Sequence, residues 1–127
     1  GRLRILVVDD EPFVARVLAR LLTPHEIVCT ASPGEARALL STEDFDAVFC
    51  DLFMPDMTGT DLLREVEREH DSTLHRKFVF MTGGTEHAVS EVLNQHPHPV
   101  LQKPFDRRSV RQALDHVLMH RSSAPPA

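Results

Sequence analysis

Several positions in this sequence carry the residue types of a charged reaction centre, and each follows a short apolar run. Asp51 follows Ala47-Val48-Phe49-Cys50, the pair Asp9-Asp10 follows Ile5-Leu6-Val7-Val8, Thr82 follows Phe78-Val79-Phe80-Met81, and Lys103 comes just after Val100-Leu101. A single acid in such a place reads as a turn or helix-capping residue. The company Asp51 keeps changes that reading. Three carboxylates in one crevice repel each other and raise the pKa of at least one of them unless a cation compensates. The donors are hard oxygens with no His or Cys beside them at the run ends, which suits magnesium or manganese rather than zinc. A divalent cation, a carboxylate, a lysine and a hydroxyl together make a site for a phosphoryl group. Carboxylates are covalent phosphoryl acceptors, with metal and lysine neutralising the charge of the transition state.

Such a set must be delivered by strands. Apolar runs bounded by turn signals read as buried strands over Arg4–Val8, Ile27–Ala31, Ala47–Cys50, Lys77–Met81 and Val100–Gln102. Helical patterns fill the intervals. Pro12 opens the first, with Phe13, Val17, Leu18, Leu21 and Leu22 on one face, and Pro24 stops it. Ser32-Pro33-Gly34-Glu35 is a helix start with a capping-box spacing, followed by a narrow stripe of Ala36, Leu39 and Leu40. Thr58 with Asp61 caps a third helix that buries Leu62, Leu63 and Val66. Ala88, Val89, Val92 and Leu93 suggest a short fourth helix, which His96-Pro97-His98-Pro99 cannot continue. Asp106 caps a fifth that carries Val110, Ala113, Leu114, Val117 and Leu118. Strands alternating with crossover helices predict an α/β fold: a doubly wound, five-stranded parallel sheet in a flavodoxin-like three-layer αβα sandwich, strand order 2-1-3-4-5. In that order the first and third strands are neighbours. The switch point between them gathers Asp9, Asp10 and Asp51, and Thr82 and Lys103 arrive from the next two strands.

A chain of 127 residues, 42% hydrophobic and 26% charged, predicts one domain over residues 1–121 and a loose tail over residues 122–127. The formal net charge of -5 and the absence of Trp and Tyr argue against direct nucleic-acid binding. No apolar stretch is long enough to cross a bilayer, no signal peptide is recognised, and a cytoplasmic location is expected. The start at Gly1 and the Ser/Pro/Ala tail suggest a piece of a longer protein. Cys29 and Cys50 read as buried small hydrophobes, His96 and His98 as solvated loop residues, and Arg64–Arg76 as a solvated helix face and loop.

These motifs, in this order, resemble the receiver domains of two-component response regulators and hybrid histidine kinases, from Leu3 to about His120, and most of all receivers fused behind a histidine kinase. The resemblance implies magnesium-dependent transfer of a phosphoryl group from a kinase phosphohistidine to Asp51, switching or relaying a signal. It implies metal ligation by Asp9, Asp10, Asp51 and the backbone carbonyl of Phe53, with Asp9 acting largely through water. It also implies that the Thr82 hydroxyl moves to the phosphoryl group, that Lys103 neutralises it, and that Lys103-Pro104 is a cis peptide bond. The implied partners are a histidine kinase or phosphotransfer protein, and a second copy through the fourth helix, fifth strand and fifth helix. Three departures stand out. Val100 occupies a switch position where the family often has Tyr or Phe, and the segment with Pro97 and Pro99 lacks the glycine often found before the fifth strand. Phe53 and Gly84 offer no polar side chain to hold an attacking water, which predicts slow self-dephosphorylation. Two alternatives stand beside this reading. A degenerate receiver serving only as an interaction platform is disfavoured by the complete acid and lysine set. A haloacid dehalogenase-like phosphatase needs a second acid two residues after the nucleophile, where Phe53 stands.

Overall fold

The computed structural model describes residues 1–83 and 99–120. Strands β1 (Arg4–Val8), β2 (Glu26–Thr30), β3 (Ala47–Asp51), β4 (Phe78–Thr82) and β5 (Val100–Gln102) form one sheet in the order β2-β1-β3-β4-β5. All four pairings are parallel. The connections carry helices α1 (Pro12–Leu21), α2 (Pro33–Thr42) and α3 (Gly59–Glu69) and a 3-10 turn at Leu74–Lys77; the last described helix is Arg107–His120.

Strand alternation sorts the core into two layers. Ile5, Val7, Phe49, Val79 and Met81 point to one face and pack with Val14 and Leu18 of α1 and Val110, Leu114 and Val117 of the last helix. Leu6, Val8, Val48, Cys50, Phe78 and Phe80 point to the other and pack with Ala36 of α2 and Leu62, Leu63 and Val66 of α3. Both faces of β1, β3 and β4 are therefore covered, which explains why those strands read as continuous apolar runs rather than alternating ones. The doubly wound three-layer fold follows.

Local chemistry fixes where the helices begin. Ser32 Oγ accepts from the Glu35 N–H at 3.2 Å, and Asp106 Oδ1 from the Ser109 N–H at 2.7 Å. Thr58 and Asp61 form a reciprocal box, with bonds of 3.1 and 3.2 Å. Each cap contributes about 1 kcal/mol to its helix. The Thr58 box also positions the loop that follows β3, because Phe53 and Thr58 are bridged in antiparallel fashion across it.

Two expectations need correction. Phe13 is 67% exposed, because the buried stripe of α1 runs through Val14 and Leu18, four residues apart, and leaves Phe13 off the seam. Cys29 is exposed, since β2 is an edge strand with a half-open face; only Cys50 is a buried hydrophobe. The charged face of α3 is open to solvent as expected, and on it Arg37 of α2 pairs with Glu69 and lies 3.5 Å from Glu65. The expected helix at Ala88–Leu93, with its share of the proposed dimer face, lies outside the described residues, as do Gly84, His96, His98 and the tail.

Candidate functional site

The register of the sheet brings the site together. Val8 lies opposite Cys50 and Asp51 opposite Met81, so the residues that follow β1, close β3 and close β4 emerge at one edge. The Asp9 N–H donates to the Thr30 carbonyl at 3.0 Å, the Leu52 N–H to the Met81 carbonyl at 2.8 Å, and the Lys103 N–H to the Thr82 carbonyl at 2.8 Å. Each bond extends the ladder one step beyond the strands and holds an edge residue in place. The Lys103-Pro104 bond is cis, as is Thr23-Pro24.

Asp9, Asp10 and Asp51 each present a carboxylate oxygen, and these oxygens lie within 4.8 Å of one another. Asp9 and Asp51 are buried, whereas Asp10 faces outward. Asp9 Oδ1 accepts from the Glu11 N–H at 2.8 Å and Asp51 Oδ1 from the Phe53 N–H at 3.2 Å. Lys103 Nζ reaches across from the end of β5 to lie 2.9 Å from Asp9 Oδ2, 3.5 Å from Asp51 Oδ2 and 3.5 Å from Glu11 Oε1. Thr82, at the end of β4, is buried beside them.

The electrostatics follow from this crowding. Burial, and then the charge of Asp9, push the Asp51 carboxyl up to about 6, with Lys103 and the Phe53 N–H pulling it back. Burial works against the Lys103 ammonium, but its bond to Asp9 and the charges of Asp51, Asp9 and Glu11 outweigh that and hold its pKa above the ordinary value. Cys50, beside Asp51 in sequence, points into the opposite layer; burial, then Asp51 and Asp9, push its thiol far up, so it is no nucleophile at neutral pH.

The donor set fits a hard divalent cation. The oxygens are all carboxylate or backbone, and the buried Asp9 Oδ2, with Lys103 Nζ at 2.9 Å, still has a lone pair to offer. That oxygen has capacity left for a ligand. The raised Asp51 pKa has a thermodynamic consequence of definite sign. A carboxyl whose folded pKa exceeds its unfolded value of about 4 holds its proton more tightly when folded. Its contribution to stability is therefore greatest below about pH 4, falls as the pH rises towards the folded value, and is level above it. In metal-free buffer the melting temperature of Asp51→Asn should gain on that of the unmodified chain between those two pH values. A gap constant from acid to neutral pH would contradict the burial of this charge.

The residues singled out from the sequence thus lie in one crevice: Asp9, Asp10, Asp51, Thr82 and Lys103, with the Phe53 backbone on its rim. Two participants do not announce themselves in the sequence. Glu11 reads there only as part of an acidic loop, yet its carboxylate contacts Lys103. Gly59 reads only as a turn residue. A Cβ at that position would stand 2.6 Å from the carbonyl oxygen of Asp51 itself, so α3 approaches the site strand closely only because no side chain is there.

Comparisons with known proteins agree with this geometry. Over 123 residues the chain is 27% identical to the sensor protein TorS of Escherichia coli, covering 91% of this chain and 13% of TorS. It is 28% identical over 117 residues to the response regulator SaeR of Staphylococcus aureus, covering 90% of this chain and 50% of SaeR. The chain thus spans half or less of the length of these relatives. Among solved structures, a CheY-like receiver domain protein of Methanospirillum hungatei superposes with a TM-score of 0.80 at 26% identity, covering 95% of this chain and 97% of that one. The sequence from residue 5 to residue 115 matches the response regulator receiver domain family, and a match of that extent, on a sheet of this order with the acids and the lysine at one edge, means that this chain belongs to that family, the receivers of two-component signalling.

Proposed function

We propose that Asp51 is the phosphoacceptor of a two-component relay and that the phosphoryl group comes from the phosphohistidine of a kinase or phosphotransfer protein, or from a small acyl phosphate. The observation that carries this is the placement of the Asp51 carboxylate at the crevice, 3.5 Å from Lys103 Nζ. With a pKa of about 6, Asp51 is mostly ionised at neutral pH and available as a nucleophile. An Asp51 oxygen attacks phosphorus in line. The P–N bond of the phosphohistidine breaks and its electron pair returns to the imidazole; with an acyl phosphate, the P–O bond breaks and the carboxylate leaves. Lys103 supplies positive charge to the phosphoryl oxygens as negative charge spreads over them. The Thr82 hydroxyl bonds the transferred group.

Asp9, Asp10, Asp51 and the Phe53 carbonyl would hold magnesium. When bound, the ion neutralises phosphoryl charge. The exposed Asp10 gives it an approach from solvent. Phe53, 37% exposed on the loop, offers no acid to protonate a leaving group, which supports an acceptor over a phosphatase. The same bulk supports slow loss of the phosphoryl group to water. Over the described residues no helix is long and apolar enough to cross a membrane.

The test has two readouts. Magnesium should raise the melting temperature by mass action, about 2.7 kcal/mol of stabilisation at a hundredfold excess over the dissociation constant, and Asp10→Ala should lose most of that rise. Acetyl phosphate with magnesium should then load one phosphoryl group, which borohydride reduction and peptide mapping should find on Asp51. A label on another residue, or a magnesium response untouched in Asp10→Ala, would overturn the assignment.

A further inference from the structure

Lys103 has one more carboxylate than phosphoryl transfer requires. Asp9 and Asp51 belong to the crevice, and their side chains are almost fully buried, while the third contact, Glu11, is 63% exposed at the mouth. Glu11 is the N-cap residue of α1, with extended backbone angles of φ -96° and ψ 108°, yet its side chain makes no capping hydrogen bond. The residues that cap well are the short Ser, Thr, Asp and Asn, and Glu is not among them. The Glu11 carboxylate is thus free of its own helix and reaches the lysine, at 3.5 Å. The Glu11 N–H is tied to Asp9 Oδ1 at 2.8 Å, which fixes the backbone from which the carboxylate reaches across to Lys103.

We infer that Glu11 is a competing counter-ion: a positioning residue that holds Lys103 towards the mouth of the crevice and must release it for the phosphoryl group to take its place. This rests on the reading of Asp51 as acceptor. Lys103 does not need Glu11 to stay in the crevice, because Asp9 is closer, 2.9 against 3.5 Å. What Glu11 adds is a negative charge that shares the ammonium with the incoming group and repels that group, itself an anion. Loading therefore proceeds against Glu11, and the cost belongs to transfer rather than to folding.

The test compares Glu11→Gln, which removes the charge, with Glu11→Asp, which keeps it but draws it back by one methylene from Lys103. Both variants should load from acetyl phosphate in magnesium buffer about two- to fivefold faster than the unmodified chain at low ionic strength, the range of a partly exposed ion pair. The advantage should shrink in high salt, where exposed charges are screened, with melting temperatures unchanged. In metal-free protein the Lys103 side-chain ammonium resonance should move in Glu11→Gln. Loading no faster in Glu11→Gln, a Glu11→Asp protein that behaves as unmodified, or an unmoved Lys103 resonance would each overturn the inference. If the unmodified chain takes up no phosphoryl group, the acceptor reading falls instead, and the Lys103 resonance still decides whether Glu11 holds the lysine.

Discussion

Asp51→Asn is expected to take up no phosphoryl group from acetyl phosphate or from a phosphohistidine donor, while folding at least as stably as the unmodified chain. Both halves follow from the same geometry. The amide keeps the shape of the carboxylate and can still approach Lys103, but its oxygen carries no charge and is not a competent nucleophile towards phosphorus. Uptake should fall to background rather than by a modest factor, because Asp9 is held by the Glu11 N–H and Lys103 and cannot swing into the vacated role. The stability half comes from repulsion. Burial and Asp9 together oppose ionisation of Asp51, so near neutral pH the neutral side chain removes an unfavourable charge from a buried position. Intact-mass measurement after donor treatment reads the first half, and thermal melting in metal-free buffer reads the second. An added phosphoryl group on the Asn variant would place the acceptor elsewhere. A marked loss of stability at neutral pH would mean that Asp51 is a structural ion-pair partner of Lys103 before it is a reactive group.

Much of this site is legible in the sequence because the fold is of a kind in which sequence and position are tightly linked. β1 and β5 have the bounds read from their apolar runs, and β3 needs only Asp51 added, since these strands are flanked by acids, Pro or the helix start that must follow them. The edge strand is less legible. β2 begins one residue earlier than its apolar run, at Glu26, because Glu26 pairs in register with Arg4 and their side chains meet at 3.1 Å, a contact invisible from a local run. Cys29 misleads for the same reason: an apolar neighbourhood in sequence does not say that one side of an edge strand is open. At the site, the candidate residues can be found because each ends a strand or follows one directly, and parallel strands of one doubly wound sheet end together. Glu11 cannot be found that way. Its role depends on Lys103 arriving from the far end of the chain, and the sequence shows only that an acid follows two others. Gly59 is hidden differently, since a glycine after a turn has an ordinary explanation that conceals a steric one.

Gly59→Ala is expected to destabilise the chain by about 2 kcal/mol, within the range for forcing an extra methyl into a packed core. The place the methyl must occupy makes the reason specific. A Cβ there would lie 2.6 Å from the backbone oxygen of Asp51 and 3.0 Å from Cε1 of Phe80. Neither neighbour can yield cheaply: the first is main chain of a central strand, and the second is a fully buried ring packed tilted against Phe78 at 5.7 Å. Nor can α3 simply retreat, because the Gly59 N–H is bonded to the Leu52 carbonyl at 2.8 Å and the Thr58–Asp61 box fixes the first turn. The higher helix propensity of alanine offsets at most about 1 kcal/mol of this. Gly34 is the control. It lies in the first turn of α2, where a Cβ meets only Ser32 Oγ at an ordinary 3.7 Å, so Gly34→Ala should be neutral or stabilising by up to about 1 kcal/mol. For a domain of this size the Gly59 change should lower the melting temperature by roughly 5–10 °C. Because the displaced atom belongs to Asp51, the rate of phosphoryl loading should fall as well, even at temperatures where the variant is fully folded. Equal melting temperatures for Gly59→Ala and Gly34→Ala would show that α3 does not press on the site strand, whereas a destabilised Gly59→Ala that loads at the normal rate would show that the pressure does not reach the carboxylate.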